Sequence, residues 1–252
     1  MALPVGNLVK LIGYNRRGEM RRSGKRISVG LLAVLVSSAF LAYVNTGPRR
    51  HRGKEVQVRG QNQPQVRLVD VREIIPDIIL DIRYATPDNF TGQVLYPSAD
   101  CFLLEEVALA LKGVQADLKK EDFRLKIYDG YRPLSVQRMM WKVMPDPDYV
   151  ADPSKGSMHN RGCAVDVALV DLDGRPVEMP TGYDDFTEKA HRDYQDLPAA
   201  AILHRRILRE TMERHGFSSI TTEWWHFSFK GYQDKPVLDI PFEALKKPEE
   251  KS

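Results

Sequence analysis

The chain has 252 residues, room for one domain of ordinary size with an appendage. At 42% hydrophobic with two cysteines, it is neither disordered nor polytopic in a membrane, and it holds no disulfide scaffold or cysteine-only zinc site. The net charge of +3 hides a split: residues 1–60 hold 12 Lys+Arg against 2 Asp+Glu, while the remainder holds 25 against 32. The main domain is therefore acidic, and nucleic acid is not expected as a partner.

Residues 1–26 form a basic segment with Lys10, Arg16, Arg17, Arg21, Arg22, Lys25 and Arg26. An uncharged run of 18 residues follows, Ile27 to Val44. As a helix it would extend about 27 Å at roughly 1.5 Å per residue, close to one bilayer crossing. The basic flank is expected to stay in the cytoplasm, so the C-terminal bulk is exported to the periplasm or another extracytoplasmic space. Two readings stay open. Ser37-Ser38-Ala39 offers a small-residue cleavage site for a signal peptide. The run continues through Phe40-Leu41-Ala42-Tyr43-Val44, which favours an uncleaved anchor and makes the membrane a partner through this segment.

Residues 45–65, with Gly47-Pro48 and the polar GQNQPQ stretch, read as a linker. The folded domain is expected over 66–242, with a charged tail at 243–252. Val66 to Ile74 and Ile78 to Tyr84 are β-branched and partly alternating, which predicts strands. Thr86 to Pro97 is turn-rich. Leu103 to Lys120 carries apolar residues at helical spacing and predicts an amphipathic helix. A strand over Phe123 to Tyr128 ends at Asp129-Gly130, and a short helix follows over Leu134 to Val143. Cys163 to Val170 predicts a strand, Pro198 to His215 a helix opened by proline and closed by Gly216, and Trp224 to Phe229 a last strand. Strands and helices mix without regular alternation. The expected fold class is α+β, a mostly antiparallel sheet flanked by helices in a single catalytic domain.

Three stretches carry chemistry. In Ser157-Met-His159-Asn-Arg-Gly162-Cys-Ala164-Val-Asp166, a histidine precedes a tight turn at Gly162 and a strand. Alternation turns Val165, Val167 and Leu169 into the core and Ala164, Asp166 and Ala168 the other way. A carboxylate between two alanines leaves space above the sheet for a metal held by imidazole and carboxylate. Further on, Glu223-Trp224-Trp225-His226-Phe227 places a glutamate and a histidine on opposite faces of an ideal strand. Glu223 must then lie at a bend before the strand, among aromatic rings that raise its pKa towards the range for proton transfer. Lastly, Tyr128-Asp129-Gly130-Tyr131-Arg132-Pro133 sets an arginine at a strand end, where its permanent charge suits an oxyanion.

The combination SxHxxGxAxD followed by ExWH, with Tyr84-Ala85-Thr86-x-Asp88-Asn89-Phe90-Thr91-Gly92 and Tyr131-Arg132-Pro133, resembles the zinc D-alanyl-D-alanine dipeptidases of the M15 metallopeptidases. The resemblance covers most of residues 68–230. It implies one zinc per chain on His159, Asp166 and His226, a catalytic glutamate at Glu223 and a transition-state arginine at Arg132. It also implies a substrate-side serine at Ser157 and an aspartate for the substrate's amino group, for which Asp184 in Gly182-Tyr183-Asp184-Asp185-Phe186 is the choice. The implied partner is a small dipeptide, D-alanyl-D-alanine, in cell-wall turnover, D-alanine recovery or a resistance pathway. Other readings are a D,D- or L,D-carboxypeptidase on peptidoglycan stem peptides, with the same metal chemistry, and a zinc-containing module without catalysis. Cys101 and Cys163 stand as either a disulfide or two buried thiols.

Overall fold

The structure is a computed structural model that describes residues 66–246. The basic segment 1–26, the apolar run 27–44, the linker 45–65 and tail residues 247–252 lie outside the described residues. Among the described residues no helix is long and apolar enough to cross a membrane.

Among the described residues the fold is mixed α/β, with two sheets and five helices. In chain order the elements are β1 (Leu68–Asp70), α1 (Val71–Ile74), β2 (Ile79–Leu80), β3 (Phe102–Leu104), α2 (Glu105–Leu118), β4 (Phe123–Asp129) and α3 (Leu134–Val143). They continue with β5 (Ala164–Asp171), α4 (Ala199–Arg214), β6 (Phe217–Ser219), β7 (His226–Phe229) and α5 (Phe242–Leu245). The main sheet has the order β2-β4-β5-β7-β6, and β1 pairs with β3 in a separate ribbon. Among the described residues only the β2–β4 pair is parallel, so the sheet there is mostly antiparallel, as expected.

Helix α2 buries Val107, Ala108, Leu111, Val114 and Leu118, the positions its periodicity selects. Each of these valine and leucine side chains contributes about 1.5–3 kcal/mol on burial. Helices α2 and α4 touch where a Cβ on Gly113 would meet His215 Nδ1 at 2.6 Å, so glycine sets their approach. Buried Gln115 turns inward from α2 and accepts from the Leu125 N–H at 2.8 Å, satisfying a donor of β4.

The differences from expectation have local causes. The strand predicted over Val66 to Ile74 breaks after Asp70, whose side chain accepts from Arg72 N at 2.9 Å and caps α1. Of Ile78 to Tyr84 only Ile79–Leu80 pairs, and Arg83–Ala85 curls into a 3-10 turn. The helix predicted from Leu103 begins at Glu105, because Phe102–Leu104 is taken by β1. The last strand begins at His226 rather than Trp224, whose N–H instead donates to Ala190 O at 3.0 Å. Strand β6 was not anticipated; three residues carry too little pattern. Cys101 and Cys163 are two separate buried thiols, and burial pushes the Cys163 thiol up to about 11.

Two irregularities position the site. Register along β4–β5 slips between Ile127 and Asp129, a bulge that sets Asp129 opposite Asp166. Asp166 in turn pairs with His226 across β5–β7. Gly162, at φ +65°, ends the turn that holds His159, and an added Cβ would lie 2.7 Å from Leu68 Cδ2 and 3.3 Å from Leu104 N. Gly162→Ala should cost about 1–2 kcal/mol from the left-handed backbone alone, and more from the crowding. Gly182, whose added Cβ meets nothing within 4 Å, is the control. Denaturant titration of the two alanine variants should show the loss only at 162.

Candidate active site

Asp166 and His226 face each other because they are register partners on adjacent strands, and the 3-10 turn His159–Arg161 folds His159 over them. His159 Nε2 lies 3.1 Å from His226 Nδ1 and 3.4 Å from Asp166 Oδ1, and His226 Nδ1 lies 3.0 Å from the same oxygen. Each residue's other polar atom is already engaged. His159 Nδ1 donates to Gly130 O at 2.8 Å, His226 Nε2 to Ser228 Oγ at 3.0 Å, and Tyr183 O–H to Asp166 Oδ2 at 2.8 Å. The Gly130 carbonyl fixes the His159 tautomer with a lone pair on Nε2, and Ser228 is placed to accept from His226 Nε2, which leaves Nδ1 able to ligate.

A cation relieves that arrangement. Tetrahedral zinc with bonds of roughly 2.0–2.1 Å needs donors about 3.3 Å apart, and the three observed separations, 3.0, 3.1 and 3.4 Å, suit it. All three residues are buried, and together they could hold a metal ion. Burial alone would raise the Asp166 carboxyl, but the two imidazoles hold it well below the usual carboxylate range. Against the opposing effect of burial, Asp166 raises the His159 pKa, so protons compete with metal at a higher pH than at an ordinary histidine.

Next to the cluster is a cleft of about 170 Å³, and all seven residues singled out in the sequence line it. Arg132 arrives from the turn after β4, where its N–H donates to His159 O at 3.1 Å. Three of its five N–H groups are taken: Nε and Nη2 by Asp129 Oδ2 at 3.1 and 2.6 Å, and Nη1 by Gln137 Oε1 at 2.8 Å. The other two N–H groups remain for a substrate oxygen. Ser157 is tied to its own loop, accepting from Asn160 N at 3.2 Å while its N–H donates to Asn160 Oδ1 at 2.8 Å. Its hydroxyl hydrogen is left to donate.

Glu223 does lie before β7, in a bend next to the buried Trp224 and Trp225. Burial pushes its carboxyl up to about 7, with Asp166 and Asp184 adding to the rise against His226 and Arg132. Asp184 sits at φ 58°. One of its oxygens accepts from Tyr84 O–H at 3.2 Å, while Oδ2 is buried with no hydrogen-bond partner. Burial pushes this carboxyl to about 7 as well, with Asp166 adding to the rise against Arg132, the Tyr84 O–H and the Phe90 N–H. The adjacent Asp185 instead accepts from the Thr187 N–H at 2.9 Å, so Asp184 is the acid of this loop that serves the cleft.

Residues that sequence reasoning passed over support the site from behind. Asp129 is fully buried and accepts from Tyr96 O–H at 2.7 Å and Gly130 N at 2.8 Å besides Arg132. Tyr183 stacks on Tyr128 at 4.6 Å and steers Asp166. Both were visible as neighbours of chosen residues, but nothing in an isolated Asp-Gly or Gly-Tyr marks a supporting role.

Residues 64–245 match the peptidase M15 family, described as D-ala-D-ala dipeptidase. The chain belongs to that family. This M15 peptidase is 37% identical over 181 residues to a D-alanyl-D-alanine dipeptidase of Escherichia coli K12, covering 72% of this chain and 94% of that protein. It is 31% identical over 191 residues to a D-alanyl-D-alanine dipeptidase of Enterococcus faecalis, covering 68% and 93%. A solved vancomycin-resistance D,D-dipeptidase, VanXYg with a D-Ala-D-Ala phosphinate analogue, is 18% identical at a TM-score of 0.35, covering 66% of this chain and 68% of that one. As an M15 peptidase the protein is a hydrolase.

If Tyr183 steers a metal ligand, Tyr183→Phe should weaken zinc binding by about 10–100-fold. Competition with a chromophoric chelator measures this, and an unchanged affinity would remove Tyr183 from the metal's support.

Proposed function

We propose that this M15 peptidase hydrolyses the D-alanyl-D-alanine dipeptide, with His159, Asp166 and His226 holding one zinc. When bound, zinc supplies Lewis acidity and brings a water's pKa to about 7. Glu223, half-buried beside the ligand set, accepts the proton of the attacking water and passes it to the leaving amine. Arg132 is braced by Asp129 and Gln137, so its free N–H groups are aimed before the oxyanion develops. Ser157 donates to the substrate's carboxylate.

The observation that carries this reading is the buried, unpartnered Oδ2 of Asp184 in the same cleft as Glu223 and the ligand set. A buried carboxylate oxygen without a donor is costly, and a substrate ammonium supplies the missing partner. The cleft's volume of about 170 Å³ is well under the roughly 300–1,000 Å³ of pockets for drug-sized ligands. Both features favour a free dipeptide over a stem peptide, whose equivalent nitrogen is an uncharged amide. Glu223 and Arg132 stand in the cleft together, which favours catalysis over a zinc-containing binding module.

Asp184→Asn should therefore lower kcat/KM for D-Ala-D-Ala by about 30-fold or more, the usual cost of about 2–5 kcal/mol for breaking a buried charge pair. N-acetyl-D-Ala-D-Ala should be a poor substrate for the natural protein. Equal turnover of the acetylated and free dipeptides would reassign the protein to the carboxypeptidases.

Glu223→Gln should keep its zinc, by metal analysis, and lose about 10²–10⁴-fold in kcat. Glu223 and Asp184 act as carboxylates, and both lie near 7 in the metal-free chain. The pH profile of kcat/KM should fall on the acid side, along a limb that the metal's positive charge draws below 7.

We further propose that the basic segment and the apolar run 27–44 export the domain, either as an anchor or as a signal peptide. A reporter that matures only outside the cytoplasm, fused after residue 65, should be active; activity confined to a cytoplasm-dependent reporter contradicts export.

A further inference from the structure

A second concavity, of about 250 Å³, lies along α4 and the loop before it and shares no lining residue with the catalytic cleft. Arg192, Arg205, Arg206 and Arg209 line it, against one acid, Asp193. Such a concentration of cations stands out in a chain whose residues beyond 60 hold 25 Lys+Arg against 32 Asp+Glu. Arg205 and Arg209 are one helical turn apart, where like charges repel.

Of these four arginines only Arg192 holds an acid at close range. Asp193 is taken by Arg192 Nη2 at 2.7 Å, with Arg209 Nη1 at 3.7 Å, and Glu213 Oε1 reaches Arg209 Nε only at 4.0 Å. Arg205 is buried, at 5% exposed, and its donors go to the carbonyls of His191 at 3.0 Å and Tyr194 at 2.6 Å. Neither carbonyl carries a counter-charge. Burial lowers its pKa and Arg209 lowers it further, against the pull of Asp193. Arg209 Nε is itself buried and has no hydrogen-bond partner.

A buried guanidinium whose hydrogen bonds go only to carbonyls, beside a second whose Nε has only the Glu213 carboxylate at 4.0 Å, leaves donors for an acceptor-only, negatively charged ligand. Phosphoryl oxygens meet guanidinium forks in paired hydrogen bonds. We propose that this basin binds a phosphate-type oxyanion, either free or carried as the phosphoryl group of a larger molecule. Arg205 forms its fixed floor, and Arg206 and Arg209 are the arms that close on the ligand. The basin is built on the loop that also meets the Glu223 segment, through Arg192 N to Thr221 O at 2.9 Å and Trp224 N to Ala190 O at 3.0 Å.

The test titrates inorganic phosphate into the zinc-loaded full-length protein and into R206A/R209A at constant ionic strength, followed by calorimetry. Phosphate also competes at a metal centre, so the difference between the two proteins is the measured quantity. The expected result is a saturable binding event in the natural protein that weakens at least tenfold in the double variant, with dipeptide hydrolysis in phosphate-free buffer unchanged. Equal affinity in both proteins, or no saturable event, overturns the proposal. A parallel arm uses phosphatidylcholine vesicles with and without phosphatidylglycerol. Given the phosphate difference, tighter binding of the natural protein than of the variant to the anionic vesicles assigns the phosphoryl group to a lipid headgroup. Equal vesicle binding assigns it to a free anion, and both results support the basin.

Discussion

The register between β5 and β7 is the constraint on which the site depends. Asp166 and His226 are direct partners across those strands, and the bulge in β4 brings Asp129 level with them. Three functional side chains thus form a row across three adjacent strands, with His159 folded over it. A slip of one residue would send the Asp166 side chain to the helix-packed face and dissolve the cluster. The buried neighbours Val165 and Val167 oppose that slip, because it would turn them out of the apolar core onto the polar side that Asp166 occupies. Core packing and the geometry of the His-Asp-His cluster are therefore fixed by the same alternation.

Four buried or half-buried carboxyls crowd this small region, and their surroundings separate their roles. Asp129 has donors on both oxygens and serves to brace Arg132. Asp166 is held low by two imidazoles, as a ligand must be. Asp184, whose donors are the Tyr84 O–H and the Phe90 N–H, and Glu223 have no imidazole or guanidinium hydrogen-bonded to them and are pushed up by burial to about 7. Under the proposed function that division, set by what each carboxyl meets, would provide a bracing group, a metal ligand, an ammonium acceptor and a proton carrier from one functional group.

The sequence made much of this visible. His159, Asp166 and His226 could be selected because strand alternation and a glycine turn dictate where they point, and those are local properties. Glu223 was expected at a bend because the ExxH spacing is incompatible with both residues facing one way on a strand, and it lies there. Leu111 and Val114 announced their helix by periodicity. Asp129 and Tyr183 gave no such sign. Their roles arise from a bulge and from a loop that returns 17 residues after Asp166, and neither is encoded in a short window. The helical turn after Asp70 was hidden because β-branched residues surround it, and only the Asp70 cap decides the matter. Strands of two or three residues, such as β2 and β6, owe their existence to the partners beside them.

A crystal of the zinc-loaded protein, with anomalous diffraction recorded above and below the zinc edge, tests the central claim most directly. The account predicts one strong peak per chain, bonded to His159 Nε2, His226 Nδ1 and an Asp166 oxygen at roughly 2.0–2.2 Å. A peak bound elsewhere, or the two imidazoles turned away from an ion in that cleft, would contradict it.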